Sequence, residues 1–445
     1  MSSAFEKICR RHDVTFIFPE SGYKRLGVYN PYDLSLHGSN LKILPVHQQR
    51  QVIWKQLFQV SQLRFRPGKT PSGLKRLIRT AIGKKAALLY SLLSLPLVYI
   101  FFKFYCYQRL SKLEYKALVE LLDNEKPDLI IHPCVLEGVY LNDIIEESRI
   151  CCIKTIFIMN SWDNPSTKRT MIGQPDWLLV WGKQTKDHAI KYANMKAEKV
   201  IEFGAAQFDI YSKENFHSKD RLCMEYGIDD WKRIILYAGS SKETDEFSHL
   251  CLLESAIESN AIKNCAIIYR PHPWGNGGYK GERILNYNWK HVHIDKNMIS
   301  YLSDLNQDNI QKKSMPNYKH TQNLITSVDA VISPLSTILL EAMICGKPVL
   351  CFLPTEERKI AKHFDLSLYQ AHFKEFYKIE KVLIAKSKNN LIQNFHKLIK
   401  YIDNPAISKN LISESEYFVK RFNESYSLRL ESFATTIFNE ENRKL

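Results

Sequence analysis

One long stretch of this 445-residue chain has no acidic residues at all. Residues 34–113 contain no Asp or Glu but 14 Lys or Arg. The whole chain has 62 basic and 47 acidic residues, so the remainder is close to neutral, with 48 basic against 47 acidic residues. Charge concentrated in this way excludes a generally basic protein and indicates one anionic partner surface.

The ten cysteines form no C-x-x-C pair and no Cys/His cluster with zinc spacing. These absences exclude a disulfide scaffold and a structural zinc site, and they fit a reducing cytoplasm. Residues 1–12 lack an apolar core, so we expect no secretory signal peptide. Fixed-period repeats and low-complexity tracts are also lacking, and with 17 Gly and 17 Pro the composition is that of an ordinary globular protein.

Short apolar runs alternate with amphipathic stretches, a pattern typical of a parallel α/β fold. Strands are predicted at 14–19, 41–46, 127–132, 154–159, 177–181, 199–203, 233–238, 265–270, 292–295, 330–333 and 348–352. The polar stretch 207–230 predicts a domain boundary. We expect one domain over 1–212, a second domain over 213–415, and a helix over 416–445 that packs back on the first domain. Two doubly wound domains would face a cleft, with ligands beyond the strand ends.

Three predicted strand ends in the second half carry groups suited to phosphates. The first is the turn Gly239-Ser240-Ser241, where glycine lets the backbone approach a ligand, although such turns also simply connect elements.

The second strand end is Arg270-Pro271-His272-Pro273. The two prolines restrict the backbone on both sides of His272, whose imidazole can donate a hydrogen bond to a phosphate oxygen. Arg270 can share this role or can pair with a nearby carboxylate.

The third strand end carries hydroxyls at Ser333, Ser336 and Thr337, next to the start of a helix. An ordinary helix cap is the alternative explanation for them. Glu341 lies one turn into that apolar helix, where a carboxylate needs a partner such as a ribose hydroxyl. Gly346 is placed to end the helix.

In this order the motifs resemble the donor half of GT-B glycosyltransferases. They look most like the group of bacterial sialyltransferases, capsule β-Kdo transferases and CDP-glycerol glycerophosphotransferases. His272-Pro273 matches the His-Pro motif of that group, and Ser333 with Ser336-Thr337 matches its Ser/Thr motif. In members of that group both motifs contact the nucleotide and its phosphate, and the resemblance implies the same role for these residues. Residues 203–209 resemble the G-x-P-x-x-D segment that closes the first domain, except that Ala206 replaces the proline.

The resemblance implies a glycosyltransferase with two Rossmann-like domains, of which the first is the acceptor-side domain and the second the nucleotide-donor domain. We expect it to move a sugar from a nucleotide-activated donor to a lipid-linked acceptor or a growing bacterial surface polysaccharide, such as lipopolysaccharide O-antigen or capsule. A CDP-polyol (glycerol or ribitol) phosphotransferase is the alternative within the family. A non-catalytic scaffold that binds glycan or lipid is the alternative outside enzymes. No D-x-D motif stands out, so we expect a metal-independent enzyme without a cofactor.

Two carboxylates follow predicted strands in the first half. Asp163 lies in the run Trp162-Asp163-Asn164-Pro165, and Glu137 follows the strand at 127–132. Sugar transfer needs a base for the acceptor hydroxyl or a carboxylate that stabilises positive charge. Either residue fits that role, and Asp163 also fits an ordinary Asx turn.

The acid-free stretch includes a 17-residue uncharged run, 86–102, interrupted by Pro96. Eight basic residues precede it between 64 and 85, and aromatic residues crowd its end. Within 60–112 we therefore predict an interfacial segment on an anionic membrane, which would hold the protein at the inner face of the cell membrane. A spanning helix, a buried core helix and a nucleic-acid surface are alternatives. We expect no nucleic-acid partner, because no known reader module is present.

Overall fold

Two parallel β-sheets, one in each of two structural units, organise the chain. The computed structural model describes residues 2–20, 38–134, 138–212, 217–239, 244–273, 281–304, 317–356 and 370–442. Unit 1 comprises Met1–Ala206, Tyr369–His372 and Phe418–Leu445, and unit 2 comprises Gln207–Leu368 and Phe373–Tyr417. The predicted α/β class with parallel sheets is confirmed; the described strands form three parallel sheets, of which that of unit 2 has the predicted doubly wound order.

Twelve strands lie in the described residues. They are β1 (Thr15–Pro19), β2 (Asn40–Leu44), β3 (Leu129–Cys134), β4 (Lys154–Met159), β5 (Trp177–Val180), β6 (Val200–Glu202), β7 (Arg233–Ala238), β8 (Cys265–Arg270), β9 (Val292–Ile294), β10 (Ala330–Ser333), β11 (Val349–Phe352) and β12 (Leu383–Ala385). The eleven predicted strands are confirmed, with ends shifted by up to two residues, and β12 is additional.

Seventeen α-helices accompany the strands in the same residues. They are α1 (Ser2–Arg11), α2 (Gln48–Leu63), α3 (Ser72–Leu93), α4 (Pro96–Lys112), α5 (Lys116–Glu125), α6 (Leu141–Ile150), α7 (Lys183–Ala193), α8 (Lys219–Tyr226), α9 (Glu246–Glu258), α10 (Gly281–Asn286), α11 (Ile299–Asp304), α12 (Tyr318–Ser327), α13 (Ile338–Ile344), α14 (Ala371–Phe376), α15 (Lys388–Ile402), α16 (Pro405–Phe418) and α17 (Tyr426–Asn442).

The main sheet of unit 1 has the strand order β3-β4-β5-β6, and β1 and β2 form a separate parallel pair. Its strands are nearly continuous apolar runs, as expected when both faces of a parallel sheet are covered. Ile156, Ile158 and Leu179 from the sheet share one core with Leu430 and Ile437 from α17. The last helix, which packs against α1, therefore belongs to the core of unit 1.

A buried ion pair attaches α2 to α6 in unit 1. Arg50 Nε lies 2.6 Å from Asp143 Oδ1, and the Asp143 side chain is fully buried. The Trp54 indole donates to the same oxygen at 2.8 Å. Arg50 Nη1 also donates to the carbonyls of Leu110 and Leu113, each at 2.9 Å. One guanidinium therefore connects α2, the end of α4 and α6.

The sheet of unit 2 has the strand order β12-β11-β10-β7-β8-β9. Counted from β7, this is the doubly wound order 6-5-4-1-2-3, which reverses direction between β7 and β10. In such sheets ligands bind outside the carboxyl ends of the strands at this reversal. The carboxyl edge next to β7 and β10 is thus the place to look for a ligand site.

The boundary between the units lies at 206/207, whereas the sequence suggested 212/213. Residues Ala206–Ser212 form a 3-10 helix. Its Ile210 carbonyl accepts a hydrogen bond from Gln322 at 2.6 Å, and its Tyr211 hydroxyl donates to Glu341. These bonds assign the short helix to unit 2. The predicted third segment at 416–445 falls almost entirely in unit 1, which resumes at Phe418.

Gly346 follows α13 with a φ of +68°. A Cβ at this position would lie 2.3 Å from Ser408 Oγ, so only glycine fits without a shift. The predicted helix-ending role of Gly346 is confirmed.

Acidification should destabilise unit 1 through His132 on β3. Its Nε2 is buried without a hydrogen-bond partner in the described residues, and burial lowers the pKa of His132 to about 4. The unfolded chain, with a pKa near 6.5, then binds more protons than the fold, so stability is complete above pH 6.5 and falls toward pH 4. We expect a loss of about 2 kcal/mol at pH 5 from this group.

Urea unfolding at pH 7.5 and pH 5.0 measures this effect. The variant His132→Phe keeps an aromatic ring against Phe157, whose centroid lies 5.1 Å from that of His132. We expect it to lose less stability on acidification than the wild type. Equal losses in both proteins would refute the assignment.

Candidate functional site

Three of the predicted strand ends meet at the reversal edge of unit 2. Strand β7 lies between β8 and β10, and Ala238 pairs in register with Arg270. Ser333 ends β10 on the other side of β7. The structure therefore brings Gly239, Arg270 and Ser333 to one edge of the sheet. We call these three residues, together with His272, Ser336, Thr337 and Glu341, the donor edge. Ser240 and Ser241 lie outside the described residues.

A glycine is required at position 239 because a carboxylate lies very close to its backbone. Its N–H donates to the Arg270 carbonyl at 2.8 Å. A Cβ here would lie 2.6 Å from Glu246 Oε2. Glu246 is buried and accepts hydrogen bonds from Tyr269 at 2.5 Å and Thr244 at 2.9 Å. Only a residue without a side chain leaves room for both this carboxylate and the turn.

Arg270 is buried and balanced by a carboxylate. Its Nη1 lies 2.8 Å from Asp295 Oδ2, and its Nη2 donates to Thr321 Oγ1 at 3.0 Å. Burial alone would raise the pKa of Asp295, but the hydrogen bond from His320 and the charge of Arg270 outweigh it and lower the pKa. Asp295 is therefore anionic, and Arg270 has the structural partner that the sequence left open.

His272 follows two residues after Arg270. Burial, aided by the positive charge of Arg270, lowers the pKa of His272 to about 4. The imidazole is therefore neutral at pH 7 and offers one N–H donor and one acceptor. An anionic ligand beside it would raise that pKa and favour proton uptake.

The hydroxyls predicted near β10 are present at the donor edge. Ser333 is fully buried, and its Oγ has no hydrogen-bond partner among the described residues. The Thr337 side chain makes no capping bond to α13, so the alternative explanation of an ordinary cap does not hold for it. Ser336 and Thr337 are half-buried. A buried hydroxyl such as that of Ser333 is available to a ligand or to an ordered water.

Glu341 has an internal partner that sequence reasoning missed. The Tyr211 hydroxyl donates to Glu341 Oε2 at 2.5 Å. Burial raises the pKa of Glu341, while this bond and the charge of Arg270 act in the opposite direction. The predicted need of Glu341 for a partner is therefore met by a phenol in this structure.

In unit 1, Asp163 lies in a tight, polar turn after β4. Its side chain is buried; Oδ1 accepts from Ser161 at 2.6 Å, and Oδ2 lies 2.8 Å from Lys168 Nζ. Burial raises the pKa of Asp163, but His372 and Lys168, with the hydrogen bonds from Lys168 and Ser161, outweigh burial and lower it. Asp163 is thus an anion that also holds its own turn. Glu137 lies outside the described residues.

Two further buried groups lie near this turn. His372 is buried, with its ring 5.3 Å from that of Trp162. Arg169 is 4% exposed, donates to Gln62 at 2.8 Å, and has an Nε without a partner in the described residues. Burial lowers the pKa of Arg169 to about 9. Sequence spacing gave no sign of His372 or of Arg169.

A family match identifies the class of protein, a transferase that uses a nucleotide-activated donor. The family described as CDP-glycerol:poly(glycerophosphate) glycerophosphotransferase matches residues 170–427, more than half of the sequence. The chain belongs to this family. Of the three groups suggested by the motifs, the match supports the CDP-glycerol glycerophosphotransferases. Among the described residues, no group of three or more His, Cys, Asp or Glu side chains is placed to hold a metal ion.

Solved structures resemble the chain only distantly. Staphylococcus aureus MnaA with UDP is 13% identical, with 72% of this chain and 77% of that chain covered and a TM-score of 0.47. UDP-GlcNAc 2-epimerase from Neisseria meningitidis is 14% identical, with 95% of this chain and 100% of that chain covered and a TM-score of 0.46. The wall teichoic acid polymerase TagF with CDPG is 14% identical, with 73% of this chain and 93% of that chain covered and a TM-score of 0.40. No curated protein matches the sequence. None of these likenesses assigns a substrate.

We expect His272→Ala, and separately the double variant Ser336→Ala/Thr337→Ala, to bind nucleotide about 10–100-fold more weakly. Each change removes hydrogen bonds to a charged phosphate, worth ~1.5–3 kcal/mol. Calorimetric titration measures the affinity, and thermal unfolding checks the fold. His396→Ala, an exposed histidine on α15, is the matched control and should bind normally. Wild-type nucleotide affinity in both site variants would exclude the donor edge as the nucleotide-binding site.

We expect Asp163→Asn to slow transfer by ~10²–10⁴-fold while donor binding stays near normal, because a positioned base is lost. Lys168→Met separates this role from a structural one. Since Lys168 lowers the pKa of Asp163, its loss should move the acidic limb of kcat/KM to higher pH. Normal turnover of Asp163→Asn, or an unmoved pH limb, would contradict the assignment.

Proposed function

We propose that this transferase moves a polyol phosphate from a CDP-activated donor to a hydroxyl of a growing phosphate-containing surface polymer. The observation that carries the proposal is the extent of the family match, which includes the complete donor edge. This finding favours the phosphotransferase, the alternative in the sequence analysis, over sugar transfer.

The groups at the donor edge suit a nucleoside diphosphate. Ser333 offers a buried hydroxyl that has no hydrogen-bond partner among the described residues. His272, neutral before the donor binds, donates to a phosphate oxygen and is more easily protonated beside that charge. Glu341 can accept from ribose hydroxyls once the bond from Tyr211 is released. Asp295 already balances Arg270, so the donor phosphates meet polar groups around an ion pair.

The proposed reaction is a displacement at phosphorus. The acceptor hydroxyl attacks the donor phosphorus that carries the polyol, and a new P–O bond forms. The bond from that phosphorus to the bridging oxygen breaks, and CMP leaves with the electron pair. The hydroxyl proton passes to a base, for which Asp163 and His272 are the candidates. The products are CMP and a polymer that is longer by one phosphodiester-linked polyol.

Sugar transfer remains the second candidate, with lipopolysaccharide or capsule intermediates as acceptors. The His-Pro motif at 272–273 and the Ser/Thr motif at 333–337 are compatible with it, because the resembling sugar transferases share both motifs with the phosphotransferases. The two reactions differ at the attacked atom, which is phosphorus in one and the anomeric carbon in the other. The identity of the donor therefore decides between them.

A donor panel tests the proposal. Calorimetry with CMP, CDP, UDP and GDP should show the tightest binding for the cytidine nucleotides, and incubation with CDP-glycerol or CDP-ribitol should release CMP. His272→Ala should lose binding and His396→Ala should retain it. Consumption of a nucleotide sugar instead would establish the second candidate. If the protein bound no nucleotide at all, the result would favour the non-catalytic scaffold over both transferases.

A further inference from the structure

Helices α3 and α4 expose an unusual amount of apolar surface. Leu97 is 74% exposed, Phe101 73% and Leu88 68%. Seven more large apolar residues between 88 and 105 are exposed: Leu89, Leu92, Leu95, Val98, Ile100, Phe104 and Tyr105. Soluble surfaces rarely concentrate so many, and such concentrations mark interaction sites. We call these ten residues the apolar elbow, because they surround the junction of the two helices.

The junction is sharply bent. Helix α3 ends at Leu93 and α4 begins at Pro96, and the two axes are bent by 102°. In the part of the chain that the structure describes, no single helix is long and apolar enough to cross a bilayer, and only this bent pair reaches the required length and composition together.

A cationic groove lies in the first half of α3. Lys75, Arg76, Arg79 and Lys84 line a groove of about 520 Å³, together with Ser72 and Thr80. Gly83 also lines the groove, and its φ of +78° breaks the helix before the apolar residues begin. Burial and the nearby Arg79 lower the pKa of Lys75. Cations crowded together in a stretch without acidic residues suit an anionic occupant.

The fold does not need the outer surface of this element. Its inner side packs through Tyr99, Cys106 and Leu110 against Trp54 and Leu57 of α2, and these residues form a core of their own. The elbow residues lie outside that core.

We propose that α3 and α4 form a membrane-docking element for an anionic phospholipid bilayer. The apolar elbow inserts at the level of the headgroups and the first acyl carbons, and the cationic groove binds lipid phosphate. Charge complementarity selects this occupant. A second copy of the chain would place two cationic surfaces face to face, and a nucleic acid would leave the exposed leucines of the elbow in water.

Vesicle flotation tests the docking element. Vesicles of phosphatidylcholine alone are compared with vesicles that also contain phosphatidylglycerol. The groove variant is Arg76→Gln/Arg79→Gln/Lys84→Gln, and the elbow variant is Leu97→Ser/Phe101→Ser. The charge-matched control is Lys116→Gln/Lys196→Gln/Lys397→Gln, three exposed lysines outside the element.

We expect the wild type to float with anionic vesicles and to be released by high salt. Each cation near the surface is worth about fivefold in partitioning, so the groove variant should bind about 100-fold more weakly. The elbow variant should also lose binding, and the control should not. Nucleotide affinity should stay normal in all variants, which separates this test from that of the donor edge.

Three outcomes would overturn the proposal. Equal flotation with both vesicle types, or none with either, would remove the anionic bilayer as the occupant. A dimer in sedimentation that the elbow variant abolishes would assign the surface to a second copy. Salt-sensitive binding to single-stranded RNA, with no flotation, would assign the groove to a nucleic acid.

Discussion

The charge of Arg270, buried where β8 ends, determines how the donor edge of unit 2 is built. A buried guanidinium needs a carboxylate, and removing one partner of such a pair typically costs ~3–5 kcal/mol. Asp295 supplies that carboxylate, Thr321 accepts a further hydrogen bond, and His320 lies 3.0 Å from the other Asp295 oxygen. The same positive charge contributes to keeping His272 neutral and opposes the protonation of Glu341. One ion pair thus sets the electrostatics of several neighbouring groups.

Sequence reasoning located the strands and the residues at their ends, because short apolar runs of a parallel sheet are locally encoded. Arg270 and Ser333 are found at strand ends as expected. It could not find the partners of these residues. Asp295 is 25 positions away from Arg270, and Tyr211 is 130 positions away from Glu341. Such contacts depend on how elements pack in space, and no local pattern announces them.

The acid-free stretch shows what a charge count conceals. Fourteen cations look alike in the sequence, but the structure gives them different roles. Arg50 is buried against Asp143, Lys42 pairs with Glu125, and Arg64 lies 4.2 Å above the ring of Tyr99. Others line the groove of α3, where no carboxylate is near in sequence. The surface charge available to a partner is therefore smaller, and more localised, than the formal count.

Unit 1 is assembled from chain segments on either side of unit 2, and this has a consequence for synthesis. Phe203 and Ile156 share their core with Tyr426 and Leu430 of α17. At ~5–20 residues per second, α17 leaves the ribosome roughly 10–50 s after Phe203. The nascent sheet must wait through that interval with one apolar face uncovered. Unit 2, nearly continuous in the chain, completes its own core first, so the order of folding during translation is the reverse of the order in which the two units begin.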